Sequence, residues 1–258
     1  MLRFSLLGSG SSGNAAIIVS RRSKILIDNG LSFRQLQARV EEVGESLEGL
    51  EAVFLTHEHG DHVAGVGTLA RKLGVPVFIT RDTYANLPQG VGQLPKIELF
   101  EAGDSVSVGD MQISSFSVSH DAADPVGYCI SSEGAKLGFA TDVGQCSHLV
   151  RLRLAGSHAL VLESNYCPDM LRRGVYPAMV QQRIRSRMGH LSNHDMSSLL
   201  SALLHESLRL VVLVHISEKN NHPDLARTLA AQVIRDRPIH LHVASQVRPT
   251  QLFEVSCP

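Results

Sequence analysis

Five short apolar runs in this chain end on a residue that can bind a proton or a metal. KILI is followed by Asp28, AVFLT by His57, FSVS by His120, KLGFAT by Asp142 and RLVVLV by His215. Such runs read as strands, and in α/β folds the ends of neighbouring strands open onto one rim, where ligands and chemistry are placed. Five polar residues in that register constrain the fold more than any count of residues does, because they imply sheets that bring distant segments to a common edge. Strands are expected over 3–7, 16–20, 24–27, 52–55, 77–79, 105–108, 111–118, 126–131, 136–140, 159–162, 210–214 and 239–242. Helical periodicity predicts helices over 32–43, 62–73, 193–205 and 224–234. No stretch rich in proline, glycine or serine divides the chain, so residues 1–258 read as a single α/β domain.

Composition supports a packed globular protein and excludes some alternatives. At 43% hydrophobic content, 258 residues can fill a large core. The 24 basic residues nearly balance the 25 acidic ones, which excludes a protein that coats nucleic acid by global charge. Cys129, Cys146, Cys167 and Cys257 form no CxxC pair, so neither a zinc ribbon nor a disulfide framework is expected. The apolar start MLRFSLL is too short for a signal segment or a membrane span, and the expected location is the cytoplasm. There are 13 histidines and no tryptophan, which directs attention to metal binding or proton transfer.

The densest cluster of histidines is Thr56-His57-Glu58-His59-Gly60-Asp61-His62. Imidazole nitrogen with carboxylate oxygen suits zinc or another borderline first-row ion, and a divalent ion relieves the crowding of such groups. His57 and His59 point the same way in an extended segment and can share one ion, while Asp61 and His62 turn toward a second. A helical HExxH site is excluded, since Asp61 stands four residues after His57.

With those residues in view, the chain resembles the metallo-β-lactamase fold superfamily, whose HxHxDH motif is matched by His57, His59, Asp61 and His62. The resemblance implies a four-layer αββα sandwich with a dinuclear site at the rim of two packed sheets. It implies one ion on His57, His59 and His120, another on Asp61, His62 and His215, Asp142 bridging them, and Asp28 supporting the loop from behind. Zinc is the expected metal for the two ions, with manganese or iron as alternatives. The sequence is more closely similar to the YycJ/WalJ-like branch, through LGSGSSGN (7–14), HDAADPVGY (120–128), TDVG (141–144), LESN (162–165), GHLSN (189–193) and HISEKNN (215–221). That branch implies a metal-dependent nuclease, a 5′→3′ exonuclease on double-stranded DNA with a role in repair. Two positions depart from its pattern: Gly60 replaces the commoner serine or alanine, and Tyr166-Cys167 follows LESN where His-Asp is usual.

Two divalent ions ~3.5–4 Å apart can activate water and neutralise a phosphodiester, with Asp61 contributing to that centre. The leaving oxygen still needs a proton. His190 is the expected donor, with Glu163 holding its second nitrogen, an arrangement resembling that of the superfamily's tRNA 3′-processing nucleases. A purely structural reading would make His190 the lead-in to a helix capped by Asn193, and Glu163 a surface strand end. Ser11, Ser12 and Asn14 in the glycine-rich loop, and Asn220 and Asn221 near the site, are candidate substrate contacts. Between 148 and 187 seven arginines face only Glu163 and Asp169, a local charge of 7 − 2 = +5, and Arg183, Arg185 and Arg187 from that stretch are candidates for a nucleic-acid backbone. The rival functions are a phosphodiesterase for cyclic or nucleotide substrates and a non-enzymatic, metal-stabilised binding or regulatory protein.

Overall fold

A computed structural model describes residues 1–257. Its first sheet contains β1 (Leu2–Gly8), β2 (Ala15–Val19), β3 (Lys24–Ile27), β4 (Ala52–Phe54), β5 (Val77–Thr80) and β6 (Ile97–Phe100). The second contains β7 (Ser105–Val108), β8 (Met111–Ser117), β9 (Val126–Ser132), β10 (Ala135–Ala140), β11 (Ala159–Glu163), β12 (Leu210–Val214) and β13 (His240–Val243). The last strand, β14 (Phe253–Val255), returns to the first sheet beside β1, giving orders β14-β1-β2-β3-β4-β5-β6 and β13-β12-β11-β10-β9-β8-β7. Each sheet is antiparallel over one half and parallel over the other, with β3 and β10 at the changeover. Asp28 follows β3 and Asp142 follows β10, so the two halves of the chain deliver a carboxylate from equivalent places.

Strands β2, β11 and β12 are buried along their whole length because both their faces are covered, whereas the edge strands β6, β7 and β13 are partly exposed. Along β2, Ala16 and Ile18 face the layer between the sheets, and Ile17 faces outward onto α1 (Phe33–Glu42), through Leu36 and Val40. Along β12, Val212 faces inward and Val211 and Leu213 face outward, toward α5 (His148–Leu154), α8 (Asn193–Leu203) and α9 (Pro223–Ile234). The period of two thus feeds three apolar layers, and the result is the expected αββα sandwich. Phe54 ties the sheets together, stacked on Phe78 at 4.5 Å and edge-on to Tyr128 at 5.9 Å, while the Tyr128 hydroxyl donates to the Leu55 carbonyl.

Three features differ from the sequence expectation. The helix expected over 62–73 is two, α2 (Gly60–Val63) and α3 (Val66–Leu73). They are separated at Gly65, which packs so closely on the Leu31 carbonyl that a Cβ there would lie 1.8 Å from the oxygen. The cap of α8 is Ser192 rather than Asn193: its hydroxyl accepts from Asp195 N, and the Asp195 carboxylate accepts from Ser192 N. Strands β6 and β14, and the short helices α4 (Arg81–Ala85), α5, α6 (Pro168–Arg173) and α7 (Ala178–Ile184), were not expected, since they are too short to carry a period. No helix among the described residues is long and apolar enough to cross a membrane.

Phe54→Ala should destabilise the fold by about 3–5 kcal/mol, because it opens a cavity between the sheets. Urea unfolding followed by circular dichroism measures the loss, and a change under 1 kcal/mol would contradict the central position given to this ring.

Candidate metal centre

The site is built at strand ends by backbone turns that few residues adopt. Asp28, Asp142 and His215 have φ values of 57°, 54° and 55°, three of the five non-glycine residues with positive φ among those described. Asp and His tolerate the left-handed region better than branched residues, and strain held there is characteristic of functional positions. Each turn directs a side chain inward just as its strand ends. Asp28 is buried beneath the histidine motif, where it accepts from Thr56 N, from Thr56 Oγ1 and from His62 Nδ1, all at 2.8 Å. It therefore fixes both the peptide that starts the motif and the ring that ends it. Gly30 allows the neighbouring segment to approach, since a Cβ there would lie 1.8 Å from the Asp61 carbonyl.

Three imidazoles converge above this base. His57 Nε2 lies 3.1 Å from His59 Nδ1, and His120 Nε2 lies 3.3 Å from the same atom. Neighbouring nitrogens on a tetrahedral zinc ion, with bonds of ~2.0–2.1 Å, stand about 3.3–3.4 Å apart, so this trio has the spacing of a metal site. His120 Nδ1 donates to the Gly189 carbonyl at 2.9 Å, which leaves Nε2 as a lone pair. Burial, reinforced by His62, holds the His57 pKa well below the ordinary value, so this ring too is neutral and able to donate a lone pair.

Two further groups share Asp142. One joins His57, His62 and Asp142, with His62 Nε2 at 3.2 Å from Asp142 Oδ2. The other joins Asp142, Glu163, His190 and His215, with ligand atoms all within 4.8 Å of one another. Asp142 lies between the three groups, and although burial opposes its charge, His215 and His62 hold its pKa well below the carboxylate range. Burial likewise opposes charge on His215, but Asp142, 2.8 Å from its Nδ1, pushes its pKa up to about 10. The His62 and His215 rings stand 6.1 Å apart between centroids. The expected set of Asp61, His62 and His215 is therefore looser than the other groups: Asp61 Oδ2 reaches to 3.7 Å from His62 Nε2 and 3.9 Å from His215 Nε2.

Glu163 is fully buried and not a surface strand end. It accepts from Val143 N at 2.7 Å, Leu191 N at 3.2 Å and His190 Nδ1 at 2.7 Å. Burial would raise its pKa, but His190 and these hydrogen bonds hold it below the ordinary glutamate value. Against the opposing effect of burial, Glu163 in turn raises the pKa of His190.

A cleft of ≈280 Å³ opens over these groups, and Ser11, Arg183 and Asn220 of the expected substrate contacts line it. The others do not. Asn14 is buried, accepting from Gly10 N and directing its amide N–H toward His62 Nε2 at 2.9 Å and Asp61 Oδ2 at 3.1 Å, so it braces the centre. Asn221 is also buried and is occupied by the Ser164 and Asn165 carbonyls and by Asn193. Ser12, Arg185 and Arg187 are exposed and are not part of the wall. Tyr166 and Cys167, the departure from the family pattern, are held against Ser192 and Asn220 by backbone contacts, outside the cleft lining. Residues not anticipated from sequence are Thr56 and Ser9, whose hydroxyl accepts from His215 N at 2.7 Å, and Asp121, which pairs with Arg183. Ser9 and Asp121 lie inside the LGSGSSGN and HDAADPVGY segments, where the signal was available.

A family model described as a β-lactamase superfamily domain matches residues 23–216. Exodeoxyribonuclease YycJ of Bacillus anthracis is 34% identical over 251 residues, which cover 96% of this chain and 95% of that protein. Exodeoxyribonuclease WalJ of Streptococcus pneumoniae serotype 2 is 34% identical over 228 residues, covering 87% and 85%. The crystal structure of the metallo-β-lactamase fold protein YhfI from Bacillus subtilis matches with a TM-score of 0.71 at 15% identity, over 97% of this chain and 100% of that one. The chain belongs to the metallo-β-lactamase superfamily of metal-dependent hydrolases, in its YycJ/WalJ branch.

Asp28→Ala removes the acceptor for His62 and for the Thr56 peptide. It should weaken affinity for a divalent ion by roughly 10–100-fold, the usual cost of losing a group that orients a ligand. Metal titration by calorimetry provides the measurement, and unchanged affinity in a folded variant would show that Asp28 supports only the loop.

Proposed function

We propose that the protein is a DNA exonuclease that uses two divalent ions, zinc foremost, to hydrolyse phosphodiester bonds. Digestion is read as 5′→3′, in the service of DNA repair, by a cytoplasmic enzyme whose residues 1–258 form one hydrolase domain. The observation that carries this reading is the meeting at one rim of the His57, His59 and His120 trio with two further groups that share Asp142, one of which contains the His190–Glu163 pair. The two similar proteins named as exodeoxyribonucleases support DNA as the substrate. The four free cysteines accord with a reducing compartment.

In this reading His57, His59 and His120 hold one ion, and Asp61, His62 and His215 hold the other with Asp142 between them. Bound there, the ions supply Lewis acidity and neutralise phosphate charge. Asp61 is the carboxylate of the motif that is open to the cleft, its side chain 26% exposed against 3% for Asp142, and it orients the attacking water and draws on its proton. His190 donates Nδ1–H to Glu163, which leaves Nε2 to give a proton to the departing oxygen as the P–O bond breaks. Glu163 keeps that ring protonated and aligned without contacting substrate. Arg183, Ser11 and Asn220 line the path of the substrate.

The decisive experiment is a panel of 5′-labelled duplex DNA, single-stranded DNA, RNA and cyclic nucleotides, assayed with Zn, Mn and Mg. Degradation of DNA is expected, with loss of activity in Asp61→Ala. Turnover of a cyclic or other small phosphodiester while DNA stays intact would overturn the nuclease reading. His190→Ala should lower kcat by about 10²–10⁴-fold, the usual contribution of a general acid, with metal content by elemental analysis held at two ions per chain. Two ions with no hydrolysis of any substrate would instead indicate a binding protein.

A further inference from the structure

The cleft has two unlike walls. One is the histidine and carboxylate centre. The other comes from the arm between α6 and α8, where Tyr176, Val180 and Ile184 line the opening together with Arg183. Val180 and Ile184 are one helical turn apart and so share a face. Helix α7 buries none of its residues, and core packing therefore does not account for the apolar side chains it presents. Val180 is 39% exposed, Met179 83% and Val175 84%. The ammonium of Lys219 lies over the Tyr176 ring, 5.5 Å from its centre, and Arg183, paired with Asp121, lines the same cleft as that ring.

This juxtaposition matches the parts of a nucleotide: an aromatic face for the base, cations for the flanking phosphates and the metal centre for the scissile one. The cleft, ≈280 Å³, is on the scale of a single small ligand, ~300–1,000 Å³. A terminal base that stacks on a protein ring must leave its neighbour in the strand, at a cost that is least where it is already unpaired.

We propose that Tyr176 is the platform on which the terminal base of a DNA strand stacks, so that the preferred substrate is an end already frayed or single-stranded. The proposal rests on the nuclease reading above and specifies which form of DNA the site accepts. Tyr176 positions the substrate and takes no part in bond breaking.

The test compares Tyr176→Ala and Tyr176→Phe on single-stranded oligonucleotides whose terminal residues either carry bases or are abasic, and on blunt duplexes. Tyr176→Ala should raise KM for base-bearing ends about ten-fold, equivalent to about 1.4 kcal/mol, with kcat little changed. KM for abasic ends should not move, and Tyr176→Phe should behave as wild type. A purely structural role would instead impair both substrates alike and overturn the proposal. A second readout is independent of hydrolysis: terminal 2-aminopurine fluorescence on binding should be quenched by the wild type and by Tyr176→Phe but not by Tyr176→Ala. Tyr176-dependent quenching without hydrolysis would sustain the subsite while the nuclease reading fails. DNA hydrolysis with equal KM for base-bearing and abasic ends would overturn the subsite and leave that reading intact.

Discussion

Buried charge is costly, and the structure depends on how this molecule compensates for it. Asp28, Asp142 and Glu163 are almost completely shielded from solvent, as are His57, His62 and His120. An isolated ionised group in such a place is heavily penalised, so each carboxylate must be matched by donors. Asp28 has the Thr56 peptide, the Thr56 hydroxyl and His62; Glu163 has two backbone N–H groups and His190; Asp142 has the Thr141 hydroxyl and His215. The imidazole trio of His57, His59 and His120 has no such carboxylate at its centre, and its converging nitrogens are the part of the network that calls for a cation.

The fold serves this network by repeating one device. A parallel strand runs to the rim, ends in a left-handed residue, and turns a polar side chain toward the opposite sheet. Asp28 does so from the first sheet, Asp142 and His215 from the second. Because both sheets are buried on both faces, their ends are held rigidly by three apolar layers, and rigid strand ends hold ligand atoms more precisely than free loops would. The arm carrying α6 and α7 is the contrasting element, with little buried surface and many arginines. The centre is thus held by buried packing, whereas α7 buries none of its residues.

Much of this was legible in the sequence. HxHxDH and the polar residues after apolar runs identified His57, His59, Asp61, His62, His120, Asp142 and His215 as the groups to be gathered, because strand ends in such folds meet at one rim. The αββα layering followed from the family resemblance, and the apolar runs by themselves gave only a single α/β domain. Less legible were the short helices α4 to α7 and the strands β6 and β14, which are too short to carry a period of their own. The break at Gly65 was also hidden, since its cause is the carbonyl of Leu31, more than thirty positions earlier.

Residue type and spacing alone therefore determined the chemistry available to the chain: nitrogen and oxygen donors suited to a divalent ion, and a Glu–His pair for proton transfer. Only the tertiary structure decided how the groups divide. It placed His62 with His57 and Asp142, turned Asn14 and Asn221 inward as braces, buried Glu163, and brought Tyr176 to the cleft from an arm whose sequence carries no motif for it. The physical reason is that periodicity specifies which face of its own element a side chain occupies, whereas neighbours between elements are set by packing of segments far apart in the chain, as with His62 and Asp142, eighty positions apart.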